Sequence, residues 1–292
     1  MKLVVKFTLV FVIVFGIGFA LAAYMAHSFL QKNATDEVIQ NAQLMMETAL
    51  SMRDYTTKQI KPLLIGDKSQ STFHPQTVPA YAATESFNYL RAKYPEYSYK
   101  EATLNPTNPR DRPADWESDI IRYFRDNPSI KSKIGSRDTA VSGTSYYLAK
   151  PIVAAPACLE CHSTVAAAPP AMVAIYGPTN GFGWQPNEIV GAQIVSVPAS
   201  LPVRMADSAY HNLLFDMGIV ALVTLFAVDF ALILIVVRPV SKLSDLADRI
   251  SKGELDDAQF AVHGKDEIAV LAGSFDRMRI SMVKAMKMLE GE

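Results

Sequence analysis

The chain has 292 residues, half of them hydrophobic, and a formal net charge of −1. That balance excludes an electrostatic case for nucleic-acid binding, and the length admits one or two domains. The average conceals a sharp segregation of apolar residues into two runs.

The first run extends from Leu3 to about Met25 behind Lys2 and Lys6; the second extends from Leu213 to Val237 and stops at Arg238-Pro239. Each is long enough to cross a bilayer as a helix. Ala20-Leu21-Ala22 resembles a signal-peptide cleavage site, but the run is longer than the hydrophobic core of such peptides, so an uncleaved anchor is expected. Lys2 and Lys6, with Arg238, Lys242 and Arg249 beyond the second run, put both termini in the cytoplasm by the positive-inside rule. The expected segments are a span over 1–26, a periplasmic domain over 27–211, a span over 212–237 and a cytoplasmic module over 238–292 of an inner-membrane protein.

After the first span, residues 31–60 read as a continuing helix begun by Thr35, Asp36 and Glu37. Val38, Met45, Met52 and Gln59 recur at heptad spacing, with Leu44 and Met46 alongside, and Pro62 and Gly66 end the helix. His74 follows in a proline-flanked loop, then a helix over 84–92 and a strand over 97–103. The prolines and asparagines of 105–113 make a rigid succession of turns carrying Arg110 and Arg112. Asp115 is expected to cap a helix reaching Asn127, with Trp116, Ile120, Tyr123 and Phe124 on its buried face. Strands are predicted over 145–153 and 189–197, with Gly191 marking a bulge or a close backbone approach.

The intervening segment of about 35 residues is long for a compact domain, which is usually a sign of function. It holds Cys158-Leu159-Glu160-Cys161-His162, which contains both cysteines of the chain. Two thiols three apart, followed by a histidine, are the attachment pattern of a c-type haem: each thiol adds across a vinyl group and the imidazole takes the iron. A redox dithiol, a zinc site and a strained disulfide also use this spacing. A redox pair belongs in a βαβ pattern, zinc needs two further ligands, and a disulfide across two residues is strained. Met45, Met46 and Met52 offer thioethers for the opposite face of the iron, and His74 offers an imidazole. The ordinary roles of these residues are core filling for the methionines and solvent exposure for the histidine. Arg110 and Arg112 suit haem propionates, since guanidinium forks match carboxylates, and equally suit a solvated loop.

Within the second span, Asp216 lies near the outer end and Asp229 well inside, where an ionisable residue is costly and marks function by default. Asp229 is expected to pair across a helix–helix contact, to be held neutral, or to face a dimer interface. Beyond Pro239, Val240, Leu243, Ala247 and Ile250 repeat at 3-4-3 spacing. A connector containing Gly253 and the pair Asp266-Glu267 come next. Ile268, Leu271, Phe275, Met278, Met282, Ala285 and Leu289 then alternate at 3 and 4. Two short helices of this kind cannot bury their stripes alone. This region resembles a HAMP domain, which implies a parallel four-helix bundle built by a homodimer.

The runs Thr77-Val78-Pro79-Ala80-Tyr81 and Tyr99 to Pro109, the CxxCH motif, Tyr176-Gly177, Gly181-Phe182-Gly183-Trp184 and Gly191-Ala192-Gln193 carry a second resemblance. Roughly residues 40–200 resemble the haem-c-containing, PAS-like sensor domains found outside the cytoplasmic membrane. The resemblance implies an α+β fold: an antiparallel sheet with flanking helices and covalent haem c on Cys158 and Cys161, with His162 on the iron. In that family a cysteine of the early helix can be the other axial ligand, and this chain has no third cysteine. The expected function is a membrane-bound haem sensor. Haem redox state or ligand binding would be relayed through the spans to the HAMP module and a separate cytoplasmic output protein, because the chain stops soon after that module. The alternative is a membrane-anchored c-type cytochrome serving a redox partner. An enzyme is not expected, because no nucleophile–base pair or carboxylate dyad converges.

Overall fold

A computed structural model describes residues 3–64, 73–139, 143–253 and 264–289. Lys2, Gly66 and connector residues 254–263 lie outside the described residues. In chain order the elements are α1 (Leu3–Tyr55), α2 (Lys61–Leu64), α3 (Pro79–Arg91), β1 (Ser98–Thr103), α4 (Asp115–Asp126), β2 (Lys133–Thr139) and β3 (Gly143–Val153). The segment between β3 and β4 carries α5 (Pro156–His162) and α6 (Pro170–Tyr176). Then come β4 (Ile189–Pro198), α7 (Ser200–Leu232), α8 (Arg238–Ser251) and α9 (Glu267–Leu289).

The chain divides into two compact units. One is residues 27–209; the other joins residues 1–26 to 210–292. The first is built on a four-stranded antiparallel sheet of order β1-β4-β3-β2. The central strand β4 is buried along its whole length, because both its faces are covered. Successive side chains of a strand alternate between faces. Val195 and Val197 accordingly join Tyr99 and Leu148 against Val38, Ala42, Met46 and Ala49 of α1 and Ala83 and Phe87 of α3. Ala192 and Ile194 pack with Ala102 and Ala149 against Ile120, Ile121 and Phe124 of α4 on the other face.

Gly191 is a close approach. Opposite Thr103 in the β1–β4 ladder, a Cβ there would fall 2.3 Å from the Ala102 carbonyl oxygen. The ladder to β3 is irregular beside it, between Ile152 and Val153.

Several expectations are corrected. Pro62 does not end the first helix. A wide turn over Thr56–Ile60, with the Lys61 N–H reaching the Thr56 carbonyl, lets the helical path continue into α2. Proline lacks an N–H and its ring clashes with the carbonyl four residues back, and the wider turn relieves both. α3 begins at Pro79 rather than Thr84, because proline is favoured in a first helical turn. At α4 the capping position is Ala114, not Asp115, and the Glu117 carboxylate accepts the Ala114 N–H at 2.7 Å. β2 was not anticipated.

In the other unit, α1 and α7 each contain a stretch long and apolar enough to cross a membrane. Thr8 Oγ1 on α1 donates to Asp229 Oδ2 on α7 at 2.9 Å, so Asp229 does pair across a helix–helix contact. Its Oδ1 is buried with no hydrogen-bond partner among the described residues. A second wide turn, Ile233–Val237, precedes Pro239, with the Arg238 N–H bonded to the Ile233 carbonyl. α8 packs on α9 through Ile250, Leu243, Leu246 and Phe275. Asp266 caps α9 by accepting the Ala269 N–H at 2.8 Å. Leu271, Met278 and Met282 of the apolar stripe remain exposed in the single chain.

Candidate functional site

The CxxCH motif lies on α5, a seven-residue helix with Pro156 at its start, and not in irregular loop. Residues three and four apart share one helix face, so Cys158, Cys161 and His162 project from the same side. Both thiols are free and half-buried. Burial pushes the Cys161 thiol above its ordinary range, with Lys61 opposing and Glu160 adding to the rise.

His162 is held from three directions. Its Nδ1 lies 2.7 Å from the Gly181 carbonyl oxygen and 3.4 Å from Thr107 Oγ1. A carbonyl only accepts, so Nδ1 carries the proton and the lone pair on Nε2 is free. The Trp184 indole stacks on the imidazole, with ring centres 4.0 Å apart and planes 11° from parallel. Burial lowers the His162 pKa against the opposing Gly181 hydrogen bond, which favours the neutral ring.

The backbone that brings these groups together is closely fitted. The Gly183 N–H donates to the Ser163 carbonyl at 3.0 Å and the Trp184 N–H to the His162 carbonyl at 3.2 Å. Gly181 has φ +85°, and a Cβ there would fall 1.9 Å from Thr107 Oγ1. Only glycine adopts that backbone conformation at little cost. At the base of the segment Ala154 exchanges backbone hydrogen bonds with Glu188 and Asn187. Two thiols and one oriented imidazole lone pair are therefore presented together.

The other sequence-nominated residues fall elsewhere. Arg110 forms an ion pair with Glu85, approaches Asp111 Oδ1 at 3.8 Å and covers the Tyr81 ring at 4.9 Å. The Arg112 side chain is exposed, and its carbonyl accepts from Lys100 Nζ at 2.7 Å. Met46 is wholly buried in the core between α1 and the sheet, and Met45 and Met52 pack against that core half-buried. His74 is exposed, and its carbonyl accepts from the N–H and Oγ1 of Thr77. Its neighbour Phe73 meets Tyr176 of α6 edge-on at 6.3 Å.

Two cations with no role read into them from sequence pair with carboxylates. Lys61 pairs with Glu160 of the motif at 3.7 Å. Arg53, in the last turn of α1, donates to Glu101 Oε1 at 2.6 Å, and Tyr99 donates to the same oxygen at 2.7 Å. Heptad spacing exposes an apolar stripe on α1 but gives no sign of a cation aimed at a strand carboxylate.

Comparison with known proteins adds three findings. The model described as Tll0287-like matches residues 31–198, more than half of the chain, and the HAMP domain model matches residues 231–284. A solved structure, described as the cyanobacterial heme-protein Tll0287, is 17% identical with a TM-score of 0.44, over 56% of this chain and 95% of that one. No curated protein matches the chain.

Proposed function

We infer a function from one premise: this chain belongs to the Tll0287-like family and carries a HAMP domain. It is a membrane-bound signal transducer with covalent haem c on Cys158 and Cys161 and the iron on His162 Nε2. The observation that carries this reading is the His162 Nδ1 contact to the Gly181 carbonyl, which leaves Nε2 free on the same helix face as two free thiols. A histidine that ligates a metal through one nitrogen commonly donates its other ring N–H to such an oxygen. When bound, the haem supplies an iron that can change oxidation state or exchange an axial ligand.

The chain's own residues do the rest. Thr107, Gly181 and Trp184 fix the ring plane of His162, and α1 runs from the sheet core toward the first apolar stretch. Haem held by Cys158, Cys161 and His162 would lie beside Glu160, which Lys61 of α2 meets at 3.7 Å; a change there would be felt by the helical path of α1 and α2 and passed to the HAMP helices as a choice between discrete arrangements. The exposed Leu271, Met278 and Met282 support a HAMP homodimer as the receiving element. The sensor unit lies in the periplasm of an inner-membrane protein with both termini cytoplasmic. The output belongs to a separate cytoplasmic partner, and the chain is a transducer rather than an enzyme.

Absorption spectra of the purified full chain, oxidised and reduced, with and without carbon monoxide or nitric oxide, test this reading. Gas binding or a ligand change on reduction is expected. An inert six-coordinate spectrum in both states would favour the electron-carrier alternative. Replacing Met45, Met46, Met52 and His74 singly identifies any of them that completes the iron coordination.

A further inference from the structure

The Arg53–Glu101 pair has no place in the mechanism so far, yet it ties the last turn of α1 to the sheet, on the same helical path from which Lys61 reaches Glu160 of the motif. Glu101 is 5% exposed, faces α1 from β1 and takes both Arg53 and Tyr99. Gln193 lies directly opposite it on β4. Going along β1 from the apolar core, Tyr99 comes first, then Glu101, and beyond the strand end Thr107 reaches His162. Going along α1 and onward, Met46 and Ala49 lie in that core and Arg53 follows. Lys61 then reaches Glu160 of the motif. Both paths run from core to site, and the Arg53–Glu101 pair is a rung between them.

Arg53 is also within electrostatic reach of Cys158. Burial alone would lower its pKa, but Glu101, Tyr99 and Cys158 together raise it, so the guanidinium is a permanent cation.

We propose that Arg53 is a positioning residue for the haem site: Glu101 holds its guanidinium in place, and this fixed positive charge raises the affinity of the bound iron for an electron. The proposal rests on the haem reading above. The same contact ties the last turn of α1 to the sheet, so whatever weakens it loosens the helix that leads to the membrane. A cation near a redox centre favours its more electron-rich state, and in a low-dielectric setting the effect is not screened away.

The test uses the full chain produced in a host that matures c-type cytochromes. Arg53→Met, Arg53→Lys, Glu101→Gln and the double variant Arg53→Met with Glu101→Gln are compared with the parent. Haem that survives denaturing electrophoresis reports attachment, and dye-mediated potentiometric titration reports the reduction equilibrium. Arg53→Met should lower the equilibrium constant for reduction about tenfold, which for one electron is about 59 mV more negative. Arg53→Lys should restore most of it, and Glu101→Gln should shift it the opposite way. If Arg53→Met leaves a buried carboxylate that the fold cannot tolerate, the double variant removes both charges, and it should be harder to reduce than Glu101→Gln. A change below twofold in Arg53→Met against the parent and in the double variant against Glu101→Gln, with haem attached, overturns the proposal and leaves the haem reading intact. Absence of covalent haem from the parent overturns both.

Discussion

Carboxylates withdrawn from water are answered differently in the two units. In the residue 27–209 unit, Glu101 meets Arg53 at 2.6 Å and Tyr99 at 2.7 Å, and Glu117 meets Lys100 Nζ and the Ala114 N–H, both at 2.7 Å. Each carboxylate has a cation from another element and a second donor close to it in sequence. In the other unit Asp229 receives one hydroxyl, from Thr8, and its second oxygen has no partner among the described residues. Among the described residues, doubly held carboxylates make the first unit the more rigid at these points, and the singly held one makes the second the more compliant.

The largest effect should come from slackening the rigid unit at its most constrained backbone position. Gly181→Ala meets both the left-handed backbone and the Thr107 side chain. It should destabilise the unit by about 2–3 kcal/mol and abolish retention of haem, read by denaturant unfolding and by the haem stain. Next, Lys100→Met leaves Glu117 buried without its cation. Lys100 is partly exposed, so about 2 kcal/mol is expected, measured by the same unfolding curves.

A smaller change should appear as a pH slope. Burial pushes the Asp111 carboxyl up from 3.8 to about 6, with Arg110 opposing and Glu101 reinforcing. The folded protein binds this proton more tightly than the unfolded chain. The stability it contributes is therefore complete below pH 3.8 and is lost as pH rises through about 6. Asp111→Asn should flatten that part of a stability–pH curve. The smallest effect belongs to the compliant unit. Thr8→Val should weaken the contact between α1 and α7 by about 0.6 kcal/mol, a typical value for a hydrogen bond between membrane helices. A double-mutant cycle with Asp229→Leu in detergent checks it. Coupling as large as that at Lys100 would erase the contrast between the units.

What could be read from the sequence follows the same division between local and non-local physics. β3 and β4 were legible because their apolar residues cover two faces of a sheet, and the HAMP helices because their stripes keep one period. β2 was not, since Ile134 is its one large apolar residue and is itself 44% exposed. The CxxCH motif was legible as a motif because its two thiols and imidazole are neighbours in sequence. Its supporting groups were not, because Thr107 and Gly181 reach His162 from 55 and 19 residues away. The surroundings of the loop arginines were hidden for the same reason, since nothing near Arg110 in sequence announces Glu85, 25 residues earlier.

The two wide turns, Thr56–Ile60 and Ile233–Val237, each stand immediately before a basic residue and a proline. A regular helix advances about 100° per residue, and a wide turn holds one residue more than a regular one. Each turn therefore acts as a phase shifter, turning everything beyond it about the helix axis without breaking the helix. The face that α7 presents to α1 and the face that α8 presents to α9 are consequently set on independent phases. Removing one residue from Ile233–Val237 would merge them and swing the Leu243 and Ile250 stripe off its partner.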